Sequence, residues 1–298
     1  MKQLLILSGK GGTGKTTIAS AFIKLSKARA YADCDVDAPN LHLVMSQPAE
    51  PEIKDYYGMD KAVIDTDLCT KCDLCRQKCR FNAIYIDGAD NNYKVDYFGC
   101  EGCSVCENVC PVDAVTMVPA VAGELMLYKG ESIFSTAQLK MGSGNSGLLV
   151  SDVKKRLKSA AEDIDFAIID GSPGIGCPVI ASLSGVDMVL IVTEPSISGI
   201  SDMERIIKTA NNFQVKIAVC INKYDTNIDN TKRIEEFCEK NDLLMAGKIP
   251  YDKEAVKAVN NGQTIIDIDC VAGDAARIVF KKVINDGSLN CTDKHSFN

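Results

Sequence analysis

The loop Gly9-Lys10-Gly11-Gly12-Thr13-Gly14-Lys15-Thr16 stands between the apolar run Leu4–Leu7 and a segment of helical period from about Thr16 to Ser26. Its glycines let successive backbone N–H groups converge on one point, and the N-terminus of the following helix adds positive potential there. The spacing puts Lys15 within reach of the β- and γ-phosphates of a nucleotide and Thr16 where its hydroxyl can ligate magnesium. Gly9, Lys10, Gly11, Gly12, Thr13, Gly14, Lys15, Thr16 and Thr17 are the expected phosphate-binding set, with ATP and Mg2+ as ligands.

Further apolar runs at Phe166–Ile169, Met188–Val192 and Ile217–Ile221, and a shorter one at Ala30–Ala32, alternate with segments of helical period such as Ser201–Asn211 and Thr231–Lys240. Strands apolar on both faces and separated by helices predict an α/β fold, a doubly wound and mainly parallel sheet of the P-loop NTPase type. A hairpin is expected over Leu125–Leu139, turning at Lys129-Gly130-Glu131. A loop is expected over Met141–Gly147, and a polar, disordered tail after Ile284.

Between about Gly58 and Val118 the α/β rhythm stops and an internal repeat replaces it. Cys69, Cys72, Cys75 and Cys79 lead to Ala83-Ile84, and Cys100, Cys103, Cys106 and Cys110 lead to Ala114-Val115. Both runs read C-x2-C-x2-C-x3-C, the spacing of bacterial ferredoxins that hold two 4Fe-4S clusters, in which the fourth cysteine of each run ligates the other cluster. By that rule cluster one takes Cys69, Cys72, Cys75 and Cys110, and cluster two takes Cys100, Cys103, Cys106 and Cys79. Zinc is the competing reading, since four-cysteine sites also bind it, but tandem histidine-free runs favour iron. The expected organisation is a P-loop domain over residues 1–57 and 119–298, with an inserted bacterial-ferredoxin-like α+β domain over 58–118. Arg80 stands where the ferredoxin pattern has proline, and a cation there tends to raise the local reduction potential. Of the six cysteines outside the insert, Cys34, Cys177, Cys220, Cys238, Cys270 and Cys291, most read as small buried hydrophobes or surface thiols. Cys177 could instead hold metal at a dimer interface.

The second lysine of the loop, Lys10, is not required by an ordinary Walker sequence, and K-G-G-x-G-K-[ST] resembles the MinD/ParA and nitrogenase-iron-protein superfamily. The resemblance implies that Lys10 crosses a dimer interface to the partner's nucleotide, so that ATP brings together two copies, or this chain and a paralogous ATPase. It implies that Asp35, in Asp33-Cys34-Asp35-Val36-Asp37, orients the attacking water and meets the magnesium shell, with Asp37 as the alternative. Asp170-Gly171-Ser172-Pro173-Gly174 resembles the Walker B and switch II element, which puts Asp170 beside magnesium with Thr16 and Asp35. Lys10, Lys15, Asp35 and Asp170 are thus the expected catalytic residues. Asn222, Pro250 and Tyr251 fall where members of that family contact the base, with Asp225 nearby. Thr193-Glu194-Pro195-Ser196, Ser198-Gly199 and Asn145-Ser146-Gly147 extend the likeness along nearly the whole chain.

A net charge of -7 and a pI near 5.0 supply no electrostatic footprint for nucleic acid or an anionic membrane. No apolar stretch has the length of a signal-peptide core or a membrane span, so a soluble, cytoplasmic protein is expected. Fourteen cysteines in a reducing compartment point to metal ligands rather than disulfides. The function expected is an ATP-hydrolysing iron-sulfur protein that couples a dimer switch to metallocofactor or cluster assembly, acting on a metallocofactor-carrying or redox partner. An ATP-gated electron donor resembling the nitrogenase iron protein is the alternative, and a positioning or partitioning ATPase a third.

Overall fold

The computed structural model describes residues 1–47, 49–287 and 289. The strands are β1 (Lys2–Leu7), β2 (Ala30–Asp33), β3 (Glu52–Tyr57), β4 (Lys61–Ile64), β5 (Ile84–Ile86), β6 (Tyr93–Val95), β7 (Val115–Val118), β8 (Val121–Lys129), β9 (Ile133–Leu139), β10 (Phe166–Asp170), β11 (Met188–Thr193), β12 (Lys216–Asn222) and β13 (Leu244–Ile249). The helices are α1 (Lys15–Ser26), α2 (Leu41–Val44), α3 (Leu74–Lys78), α4 (Val105–Asn108), α5 (Ser146–Ala160), α6 (Cys177–Leu183), α7 (Ile197–Asn211), α8 (Ile228–Lys240), α9 (Lys253–Asn260) and α10 (Val271–Gly287). Two units emerge: a larger one of residues 1–53, 125–137 and 147 onward, and a smaller one of 54–124 and 138–146.

The expected doubly wound, mainly parallel sheet is present, in the order β13-β12-β11-β1-β10-β2-β9-β8-β3. Every pairing from β13 through β9 is parallel. The runs that form its centre, Leu4–Leu7, Phe166–Asp170 and Met188–Thr193, are buried at every position, as strands covered on both faces must be. In the layer over one face, Ile18 and Phe22 of α1 are fully buried, and Phe22 meets Phe280 of α10 edge to face at 5.1 Å. Such rings contribute about 1.5–3 kcal/mol each on burial.

Strand β1 lies between β10 and β11, and the chain leaves it toward β2 on one side and later crosses from β10 to β11 on the other. The C-terminal end of β1 is therefore a topological switch point, where an open α/β sheet leaves a crevice. The glycine loop fills that position. Asp33, Asp170, Thr193 and Asn222 close the neighbouring strands β2, β10, β11 and β12 at the same end.

Three details depart from the sequence reading. The hairpin strand begins at Val121 rather than Leu125. Helix α5 begins at Ser146, so Ser146 and Gly147 form its first turn instead of ending a loop. A Cβ on Gly147 would stand 3.1 Å from both the Cβ and the carbonyl oxygen of Cys177, so glycine here marks a close backbone approach and not flexibility. Helix α10 continues past Ile284 to Gly287; the rest of the expected tail lies outside the described residues apart from Leu289.

Candidate functional site

Gly14 caps α1 with φ 88°, and a Cβ there would fall 2.3 Å from Asn222 Nδ2, so only glycine lets the loop meet β12. Asn222 Nδ2 donates to the Thr13 carbonyl at 2.7 Å, and Asn222 Oδ1 accepts from the Lys223 amide at 3.0 Å. This side chain, expected at the base, thus ties the loop to the strand end through Nδ2 and braces the turn after the strand through Oδ1. Lys223 Nζ adds a bond to the Gly12 carbonyl at 2.9 Å.

Lys15, which begins the helix, is 6% exposed and its ammonium lies 2.6 Å from Asp170 Oδ1. Thr16 Oγ1 donates to Asp170 Oδ2 at 2.6 Å, and Asp35 Oδ2 stands 3.9 Å from Lys15 Nζ. The four side chains expected at phosphate and magnesium, Lys15, Thr16, Asp35 and Asp170, are thereby brought together. Burial alone would lower the Lys15 pKa, yet the charges of Asp170, Asp33 and Asp35 reverse that and raise it.

The three carboxylates after β2 divide their roles. Asp33 is fully buried and accepts from the amides of Asp35, Asn40 and Leu41 at 2.9, 2.9 and 3.0 Å, which shapes the turn. Its pKa is pushed up to about 7 by burial and by the charge of Asp170. Asp35 faces Lys15, and Asp37 is exposed on the wall of the cleft. Burial, with smaller additions from Asp170 and Asp37 and against the pull of Lys15, lifts Asp35 from its ordinary 3.8 to about 6. The folded state therefore holds this proton more tightly than the unfolded chain. Its stabilising contribution is full below about pH 4 and is lost as pH rises through about 6. We expect the thermal midpoint of nucleotide-free Asp35→Asn to gain on the parent across that window. Parallel midpoint profiles for the two proteins would refute the assignment.

Two clefts meet at the loop and share Gly12, Gly14 and Thr17. One holds Lys15, Thr16, Asp35 and Ser172 on its wall; the other is lined largely by apolar groups, with Ile249, Pro250, Tyr251, Val256 and Ile265 near Asn222. Asp225 Oδ1 accepts from the Tyr251 amide at 2.8 Å and so holds the Pro250-Tyr251 segment in place.

Lys10 does not point into open solvent. Its ammonium lies 2.5 Å from Glu194 Oε1 and within 3.3 and 3.2 Å of the hydroxyls of Ser196 and Ser198. Glu194 Oε2 is also 3.7 Å from Lys223 Nζ. Sequence reasoning did not place Glu194 or Lys223 at the site. The signal available was Thr193-Glu194-Pro195-Ser196 after an apolar run, without a local reason for the glutamate.

In the smaller unit, β4 pairs with β7 and β5 with β6, each antiparallel. The cysteine repeat is also a repeat of backbone. Left-handed residues recur at matching positions, Lys71 with Gly102, Asp73 with Ser104 and Asn82 with Asp113. Asp65 N donates to Ala114 O at 2.8 Å and Asp96 N to Ala83 O at 2.7 Å, so the start of each run binds the end of the other. This reciprocal pairing brings Cys110 beside Cys69, Cys72 and Cys75, and the four line one small cavity with Tyr93, Ala114 and Val115. The Ala83 amide donates to Cys79 Sγ at 3.4 Å and the Ala114 amide to Cys110 Sγ at 3.2 Å. Cys75 and Cys106 have raised pKa values, first from burial and further from the neighbouring thiols, Cys69 and Cys72 for one, Cys100 and Cys103 for the other. All eight are free cysteines, and Cys75, Cys100 and Cys106 are buried in one apolar cluster with Ala62, Ala83, Ile84, Tyr93 and Val115.

Among the described residues no three His, Cys, Asp or Glu side chains gather about a single ion. Cys34, Cys220, Cys238 and Cys270 are buried thiols and Cys177 is exposed at the start of α6; Cys291 lies outside the described residues. No helix among the described residues is long and apolar enough to cross a membrane.

The family described as the CobQ/CobB/MinD/ParA nucleotide binding domain matches residues 4–265. An uncharacterised protein of Methanocaldococcus jannaschii is 29% identical over 286 residues, 94% of this chain and 96% of its own length. The pyruvate synthase subunit PorD of the same organism is 41% identical over 58 residues, 20% of this chain and 66% of its own. The septum site-determining protein MinD of Pyrococcus horikoshii, solved with Mg-ADP, superposes with a TM-score of 0.57 at 17% identity, covering 95% of each chain.

Proposed function

The chain belongs to the CobQ/CobB/MinD/ParA nucleotide-binding family, and from that premise we propose that it is an ATPase whose nucleotide-driven dimer switch serves metallocofactor or iron-sulfur cluster assembly. In this reading Lys15 and the loop amides hold the phosphates. Thr16, Asp35 and Asp170 hold Mg2+, which supplies charge neutralisation on the phosphates. Asp35, the partly exposed carboxylate of its loop, orients water, and the apolar cleft at Pro250 and Tyr251 receives the base. The Lys15–Asp170 pair must open for the lysine to reach phosphate, which ties nucleotide entry to the movement of the strand-end loops.

The observation that carries the iron-sulfur half is the cavity shared by Cys69, Cys72, Cys75 and Cys110, the set expected for cluster one. By the same pseudo-symmetry Cys79 joins Cys100, Cys103 and Cys106. The residues fit such groups on three counts: amides already donate to two of the sulfurs, the thiols feel one another's charge, and three of the eight sulfurs are buried in an apolar cluster that shields a group held there from water. Two 4Fe-4S clusters would supply one-electron chemistry. Protein purified without oxygen should contain about eight iron and eight sulfide per chain; stoichiometric zinc in their place would end this reading. An oxygen-free pull-down in the ATP-trapped state, with metal analysis of what is captured, tests the role in assembly. A partner that gains iron as this chain loses it supports that role.

A second reading, an ATP-gated electron donor, is favoured by the likeness to a pyruvate synthase subunit over 58 residues. It predicts a partner that is reduced while the iron of this chain stays constant.

A further inference from the structure

The backbone of the two cysteine runs is close to two-fold symmetric, and the charge placed against it is not. Lys61, half-buried on β4, donates from Nζ to the carbonyl oxygen of Cys100 and sits 5.4 Å from the centroid of the Tyr97 ring. No carboxylate pairs with it among the described residues. The matching position for the other run is the neutral Asn92. There the partly buried charge is Asp73, whose carboxylate is cancelled by Arg76 through two bonds of 2.7 Å and further bonded by Gln77 at 3.0 Å. The exposed charges around the runs weigh less, because water and salt screen them. Arg80 after Cys79 acts with Lys61 on one side, where exposed Glu101 opposes it, as does half-buried Glu107 beside Cys106, whose carboxylate accepts from the Met117 amide at 3.1 Å; exposed Lys71 and Asp113, of opposite sign, stand on the other.

We propose that Lys61 makes the cluster held by Cys100, Cys103, Cys106 and Cys79 the more readily reduced of the two, so that an electron entering the module comes to rest there. This rests on the reading of two 4Fe-4S clusters. Reduction adds one electron and one negative charge to a cluster and makes or breaks no bond to the protein. A fixed, unpaired ammonium at a ligand's carbonyl stabilises that added charge, and a cancelled Asp73–Arg76 pair does little for its counterpart. Lys61 touches the ligand's backbone rather than the reacting atoms, and is a positioning residue.

The test is a dithionite titration of oxygen-free protein followed by EPR, with iron measured for each variant. The parent should show two one-electron steps, and Cys103→Ser, which alters a ligand of one cluster only, should mark the higher step. Lys61→Met should move that step down so that the reduced-to-oxidised ratio at a given potential falls about tenfold, 59 mV for a one-electron couple, while the lower step stays. Lys61→Gln keeps a donor without the charge and should behave like Lys61→Met; Lys61→Arg should behave like the parent, and these two decide the matter if the methionine variant loses iron. Unmoved steps in the neutral variants, a shift confined to the other cluster, or a Lys61→Gln protein matching the parent would overturn the proposal while leaving the clusters in place. A parent without iron would overturn the cluster reading itself, before any variant is made.

Discussion

Lys15→Ala is expected to abolish ATP binding and also to destabilise the nucleotide-free protein by about 3–5 kcal/mol, the scale for removing one partner of a buried ion pair. The first effect follows from the position of the ammonium at the head of α1 beside the loop amides. The second comes from its surroundings: Asp170 and Asp33 are fully buried, Asp35 is close, and Lys15 is the cation 2.6 Å from Asp170. Without it three carboxylates face one another, and the folded state must take up protons or lose stability. ATP titration and urea unfolding of the same variant read the two effects separately. Lys15→Ala combined with Asp170→Asn should recover much of the stability and none of the binding. A single variant as stable as the parent would show that the acidic cluster does not depend on Lys15.

Lys10→Ala should do the opposite: keep nucleotide binding and stability, and lose ATP-dependent dimerisation and turnover. Its side chain is 33% exposed and that of its partner Glu194 is 21% exposed, a pairing worth no more than about 1 kcal/mol. Hydrolysis should fall by about 100-fold or more, the usual consequence of removing one donor that stabilises transition-state charge. In the free chain Lys10 is held by its own subunit, through Glu194, Ser196 and Ser198, so reaching a partner's nucleotide requires breaking those contacts. Glu194→Gln should therefore dimerise with ATP at least as readily as the parent. Light scattering with ATP and a phosphate-release assay measure both, and a Lys10→Ala protein that dimerises and hydrolyses normally would remove Lys10 from any role in trans.

The phosphate loop and its setting were legible because their determinants are local. A glycine loop between a buried strand and a helix has few ways to lie, and the strands over Phe166–Ile169, Met188–Val192 and Ile217–Ile221 followed from runs with no polar position to expose. Helix α5 was not legible. Its first turn is Ser146-Gly147, which reads as a breaker until Cys177 is placed against it. Among the acids of the second strand, sequence ranked Asp35 above Asp37 and had no means of seeing that Asp33 serves its own turn through three backbone amides.

What the sequence determined by itself is chemistry carried by neighbours along the chain: a loop that converges amides, and cysteines spaced so that three can face one site. Those patterns depend on backbone reach over a few residues, which spacing encodes directly. Only the tertiary structure decided which distant groups complete them. The ferredoxin rule already expected Cys110 at the first run, and the bond from Asp65 to Ala114 is what carries it there; Lys10 is clasped by a glutamate 184 positions later, and Lys15 is paired directly with Asp170, 155 positions away. Such pairings arise from strand order and from the burial of charge that must be matched, and no local pattern of residues records either.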